Sequence, residues 1–229
     1  SMKKRFEGFS PETYDFLMEV RFHRDDRAWF EENRKRYYAC VKEPLTLLAE
    51  ELVPTMADID PEFNLRLTTV VSRIRRDTRF SRDKSLYRDH AWIGFRHLNT
   101  AVSEGFCIYF EITPETYGYG MGMYAPNTDV MKRIRGAVKT RPDEFLALAG
   151  SKGLERFTLE GTSYVRDRFP NERAEIRPYL NMKSMSWCFS SERLKDTMMP
   201  GFKDELLDAA ADMRPMYTFI NGAIKTVQE

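Results

Sequence analysis

The sequence predicts an α+β fold, an antiparallel β-sheet of about 4–6 strands flanked by N-terminal and C-terminal helices. Two observations carry it. Apolar residues recur at helical spacing in the first quarter of the chain, switch to a period of two for about sixty residues from Leu65, and return to helical spacing afterwards. The links between the alternating segments are short and turn-rich, which suits antiparallel pairing, whereas a parallel sheet needs a crossover helix between each pair of strands.

In chain order, Ser10 caps a helix that Pro11 starts, and Phe16, Leu17 and Val20 supply its short apolar face. Asp25 and Asp26 open a longer helix. Along it Phe30, Tyr37, Val41, Leu45, Leu48 and Leu52 fall at sums of three and four, with a kink or break expected at Pro44. This face reads as core. Strands are expected over 65–76, 90–98, 106–113 and 117–124, and helices over 129–138, 143–148 and from 202 onward, with a less regular stretch over 157–190 between them. With no internal repeat or linker, residues 6–229 read as a single α+β domain. Residues 1–5 read as a cleavage scar and a basic N-terminus.

Composition bounds the function. The chain has 229 residues, with 36 basic and 35 acidic side chains and a formal net charge of +1. A whole-molecule field for nucleic acid or anionic membrane is therefore absent, and any anion site must be local. Cys40, Cys107 and Cys188 are far apart and in no CxxC spacing, which fits reduced thiols and a cytoplasmic location. No window approaches the roughly 20 apolar residues that span a bilayer, so no membrane partner is expected.

Alternation assigns the sheet faces. Val70, Ser72 and Ile74 are expected opposite Arg73, Arg75 and Asp77; Ala91, Ile93 and Phe95 opposite His90, Trp92 and Arg96; and Ile108, Phe110 and Ile112 opposite Cys107, Tyr109 and Glu111. With helices on the apolar face, Trp92, Arg96 and Tyr109 become a pocket wall on the other, joined by Gly118 and Gly120 of a strand with three alternate glycines. Interior strand glycines mark close approach, by a crossing helix or by a flat ligand. The plain alternative is a solvated face with cross-strand pairs such as Arg96 with Glu111.

The run from Arg73 to Arg88 holds seven basic and two acidic residues. Such charge after a strand suits phosphate or carboxylate, because Arg pairs bidentately with planar oxyanions. Arg73, Arg75, Arg79, Ser81, Arg82, Lys84 and Tyr87 are the anion-binding residues on this reading. Asp77 and Asp83 offer an alternative, an ion-pair knot that fixes the strand end. For proton transfer the candidates are Asp77, Asp83, His90 and Glu111, with Tyr87 or Tyr109 assisting. Stacking of nucleic-acid bases on Trp92, Tyr109 and Tyr119 is the competing use of the same face.

Ser81 and Lys84 spell SxxK, but the partner motifs of that mechanism are absent from suitable positions. His23, His90 and His97 show no metal-ligand spacing, so no metal is expected, and no phosphate-loop or other cofactor motif occurs.

Phe6-Glu7-Gly8-Phe9, Trp29-Phe30, the run Arg75-Arg76-Asp77-Thr78-Arg79-Phe80-Ser81-Arg82-Asp83-Lys84-Ser85-Leu86-Tyr87 and the stretch from Gly120 to Pro126 together resemble the bacterial family called domain of unknown function 2461. The resemblance covers nearly the whole chain from Phe6 and implies no assigned activity. Where that family carries a Pro-Lys-Gly-Phe type segment before its last helices, this chain has Arg168-Phe169-Pro170-Asn171. Lys183 and Trp187, further on, are expected beside the basic loop. The function expected is small-anion binding, catalytic or not, at a basic loop after a strand. The alternatives are single-stranded nucleic-acid binding on the polar sheet face, or a protein-interaction or structural role.

Overall fold

A computed structural model describes residues 2–98, 100 and 105–226. The chain opens with α1 (Pro11–Phe22) and α2 (Arg27–Tyr37), the second capped by the Asp26 carboxylate, which accepts from the Trp29 N–H at 2.9 Å. A π-helical turn, Tyr38–Lys42, then leads into α3 (Glu43–Ile59). Pro44 accounts for the irregularity. It has no N–H for the Cys40 carbonyl four residues back, and the Thr13 hydroxyl of α1 donates to that carbonyl instead, at 2.6 Å. The break expected at Pro44 is thus a local widening that also fastens α1 to the helix pair.

The sheet is antiparallel throughout, with strands β1 (Ala91–Phe95), β2 (Cys107–Ile112), β3 (Tyr117–Gly122), β4 (Thr158–Glu160) and β5 (Ser186–Ser191) in the spatial order β1-β2-β3-β5-β4. The expected strand over 65–76 is a correction. Its first part is a single helical turn, α4 (Leu67–Val70), and its remainder joins the sheet only through the bridge Val71↔Ile93, with Arg75↔Tyr87 closing a hairpin on itself. Val70 and Val71 are both buried, which a strand with one solvated face does not allow for consecutive residues. Among the described residues between 65 and 124, three regular strands therefore lie where four were expected. β4 and β5 come from the stretch that reads as irregular.

Helices α5 (Thr128–Thr140), α6 (Pro142–Ala149), the short α7 (Arg177–Leu180) and the long α8 (Phe202–Lys225) complete the chain. α3 packs on β1, α8 packs on β3 and both pack on each other, covering the face that carries Ile93, Phe95, Ile108, Phe110 and Met121. Between Leu52 and Met56 of α3, Leu206 and Met213 of α8 and this face, only about 20 Å³ of void remains. The register places Tyr117, Tyr119, Trp187 and Phe189 on this covered side as well. Opposite it, the rows Trp92–Glu111–Gly118–Ser190 and Gly94–Tyr109–Gly120–Cys188 form the uncovered polar side.

Candidate functional site

The three β3 glycines stand where strand β5, their hydrogen-bonded neighbour in the sheet, comes in closest. A Cβ at Gly118 would lie 2.7 Å from the Phe189 carbonyl oxygen, and one at Gly120 would collide with the Trp187 carbonyl. The close neighbour is thus the backbone of β5 and not a crossing helix, because the helices occupy the other face. At the Gly122 end an open cleft of about 380 Å³ is lined by Tyr109, Met123, Tyr124, Glu160, Ser186 and Cys188. Burial pushes the Cys107 thiol up to about 11, eased by the charge of Arg96, and raises Cys188 too, so neither is poised as a thiolate nucleophile. Burial likewise raises the Tyr109 phenol.

At the other end of the polar side stands the basic hairpin, outside β1. Ser72 ties it to the strand, its N–H donating to the Trp92 carbonyl at 3.0 Å and its hydroxyl accepting from the Trp92 N–H at 2.9 Å. Arg76 organises the loop from within. It donates to the Ser85 hydroxyl at 2.8 Å and the Ser81 hydroxyl at 3.3 Å, and pairs with the Asp83 carboxylate at 2.9 Å. Arg79 forks onto its neighbour Asp77, whose carboxyl it holds down at about 2, and Lys84 donates to the Thr78 carbonyl at 2.6 Å. The Ser85 N–H and, less strongly, Arg76 hold Asp83 below the usual range. Both loop aspartates are therefore hydrogen-bond acceptors and not proton donors. Tyr87 lies away from the loop surface, buried and stacked on Phe30 at 4.6 Å. Arg73, Arg75 and Arg82 are exposed and have no acidic partner among the described residues.

Arg88 has no role of its own on the sequence pattern, yet it joins the hairpin to the sheet. One terminal nitrogen donates to the carbonyls of Arg73 at 2.6 Å and Arg75 at 3.1 Å, and the guanidinium lies 4.9 Å over the Trp92 ring. Its other N–H groups have no protein partner among the described residues. His90 stacks against the same indole at 5.5 Å. Its Nδ1 is 3.2 Å from Asp89, a buried carboxylate that also accepts from Arg21 at 2.8 Å and Arg24 at 2.7 Å. Burial alone would raise Asp89, but the bonds from Arg21, His90 and Arg24 outweigh it and hold the carboxyl at about 2.

Glu111 is directly across the β1–β2 ladder from Trp92 and has no hydrogen-bond or ion-pair partner among the described residues. Burial raises its carboxyl, against the pull of His90 and with a further push from Asp89. Of the proton-transfer candidates, His90 and Glu111 are brought together, and Asp77 and Asp83 remain in the loop.

Several expectations are corrected. Tyr119 is buried on the helix side and cannot share a stacking surface with Trp92 and Tyr109. Arg96 does not pair with Glu111. It follows β1 at the Cys107 end, and Glu111 faces Trp92 two residues back from Gly94. Lys183 and Trp187 belong to the β5 side of the sheet, with β3 and β2 between them and the hairpin, and Trp187 is buried.

A second polar cluster was not visible in the sequence. Asp60, Glu62 and His97 bring ligand-type atoms within 4.8 Å of one another at the far end of β1. They are engaged by protein: one Asp60 oxygen accepts from His97 at 2.5 Å, Tyr217 at 2.5 Å and Asn221 at 3.3 Å, while Lys225 pairs with Glu62.

No helix among the described residues is long and apolar enough to cross a membrane. No curated protein matches the chain. The family model described as a conserved hypothetical protein, DUF2461, matches residues 12–219, and the chain belongs to that family.

Proposed function

We propose that the protein binds a small anion-bearing ligand, a phosphate or carboxylate, where the basic hairpin meets the polar side of the sheet. The observation that carries this reading is the positive charge left over once the loop has satisfied itself. Asp77 and Asp83 are spent on Arg79 and Arg76, and Arg73, Arg75 and Arg82 have no acidic partner among the described residues. Arg88, anchored by one nitrogen, presents further N–H groups beside a flat wall of Trp92 and His90. An anchored guanidinium with unspent donors loses little freedom when it takes an oxyanion.

Calorimetric titration with inorganic phosphate tests this. The double variant Arg73→Ala, Arg75→Ala leaves the hairpin anchors intact and is expected to bind more weakly by about 1.5–3 kcal/mol for each charge-assisted hydrogen bond to the anion that it removes. Arg79→Ala and Lys84→Ala probe the loop tip in the same assay. Large drops in melting temperature with unchanged phosphate affinity in all of these variants would make the hairpin an ion-pair knot.

A further inference from the structure

Glu111 is set in the polar side with no hydrogen-bond or ion-pair partner among the described residues. The groups that face it are few. His90 and Asp89 come from the residues before β1, with Arg21 and Arg24 of the α1 end behind Asp89 and Arg88 above Trp92. Tyr109 shares its strand face, Glu115 lies at the following turn within reach of Arg21, and Gly118 brings no side chain from β3. Asp89 is locked by three donors, so it fixes the His90 ring and cannot move to Glu111. Gly118 beside Glu111 adds no polar side chain of its own, its Cβ position being taken up by the β5 backbone at Phe189, so β3 supplies nothing that pairs with the carboxyl.

We infer that Glu111 is the proton-holding member of the anion site's wall, beside a His90 ring that Asp89 fixes, so that an oxyanion enters together with a proton held by Glu111. The inference rests on the anion reading given above. An oxyanion held by Arg88 beside this row adds a negative charge next to a carboxyl that burial already disfavours in its ionised form. Two such charges do not both persist in a partly buried site. Once protonated, the carboxyl changes from an acceptor into a donor and can bond to the ligand. The ligand class that fits is an oxyanion with at least one oxygen left for a carboxyl donor after the arginines are served, such as a phosphate monoester or a carboxylic acid.

The test is calorimetric titration of the full chain with sulfate, which does not itself titrate near neutral pH, in buffers of different ionisation enthalpy. The wild-type protein is expected to take up a proton on binding, and its affinity to fall by up to about tenfold per pH unit where that uptake is complete. Glu111→Gln is expected to abolish the uptake and flatten the pH dependence. His90→Gln is expected to weaken binding while each sulfate bound still brings its proton. Sulfate binding without proton uptake, or uptake that survives in Glu111→Gln and disappears in His90→Gln, overturns the assignment to Glu111 and leaves the anion site standing. Absence of sulfate binding to the wild-type protein overturns both.

Discussion

Two aspartate–histidine pairs lie at opposite ends of β1 and on opposite faces of the sheet. At the C-terminal end, Asp60 and His97 are closed in by Tyr217 and Asn221 of α8, and Asp60 is only 3% exposed. At the N-terminal end, Asp89 holds His90 in a similar way, but beyond the histidine come a carboxyl with no partner among the described residues, an indole and an incompletely used guanidinium. The chemical groups are alike and the surroundings differ. A buried polar network that satisfies every member fixes a fold, and one that leaves members unspent facing solvent has capacity for a ligand.

Variants that separate the two pairs differ in size and in sign. Asp60→Ala is expected to have the largest effect, about 3–5 kcal/mol in urea unfolding, because it strips the buried partner from His97, Tyr217 and Asn221 together. A loss under about 1 kcal/mol would mean that the closed pair is not a fastening.

Asp89→Asn is expected to cost about 2–3 kcal/mol at neutral pH, on the scale of a shift from an unfolded carboxyl near 3.9. Because its folded value is depressed to about 2, the stability it contributes is present above about pH 4 and lost as pH falls toward 2. Urea midpoints of wild type and variant should therefore converge in acid, and a constant gap across that window contradicts the assignment.

Glu111→Gln has the opposite sign. The folded carboxyl is raised above its unfolded value, so ionised Glu111 destabilises the fold increasingly as pH rises from about 4.3, and the cost levels off above the folded value. The variant is expected to gain up to about 1 kcal/mol in mildly alkaline buffer and nothing near pH 4. A loss of stability in alkali would show that Glu111 has a partner in solution.

Much of the fold was legible because β1, β2 and β3 keep one apolar face each, and a period of two identifies such strands without any partner being known. The segment 65–76 misled for the same reason: Thr68, Thr69, Val70 and Val71 have strand preferences, and packing converts the first three into a helical turn. β4 has only three residues, and β5 puts Ser186, Cys188 and Ser190 on its polar side, too weak an alternation to stand out. At the site, His90, Trp92 and Glu111 were readable as one face. Asp89 was not, since its arginine partners, Arg21 of α1 and Arg24 just after it, come more than sixty residues earlier in the chain. Arg88 looked like one more charge in a basic run, and only the folded hairpin shows it lying over Trp92.

The three histidines report on three places, since His23 stacks on Trp29 at the end of α1, His97 sits in the closed pair and His90 stands in the open one. Following their ring resonances by NMR during a phosphate titration tests most directly whether the open pair is the anion site. A saturable shift at His90 is expected, with His97 and His23 unmoved. Equal drift of all three, or a saturable shift confined to His97, would contradict it.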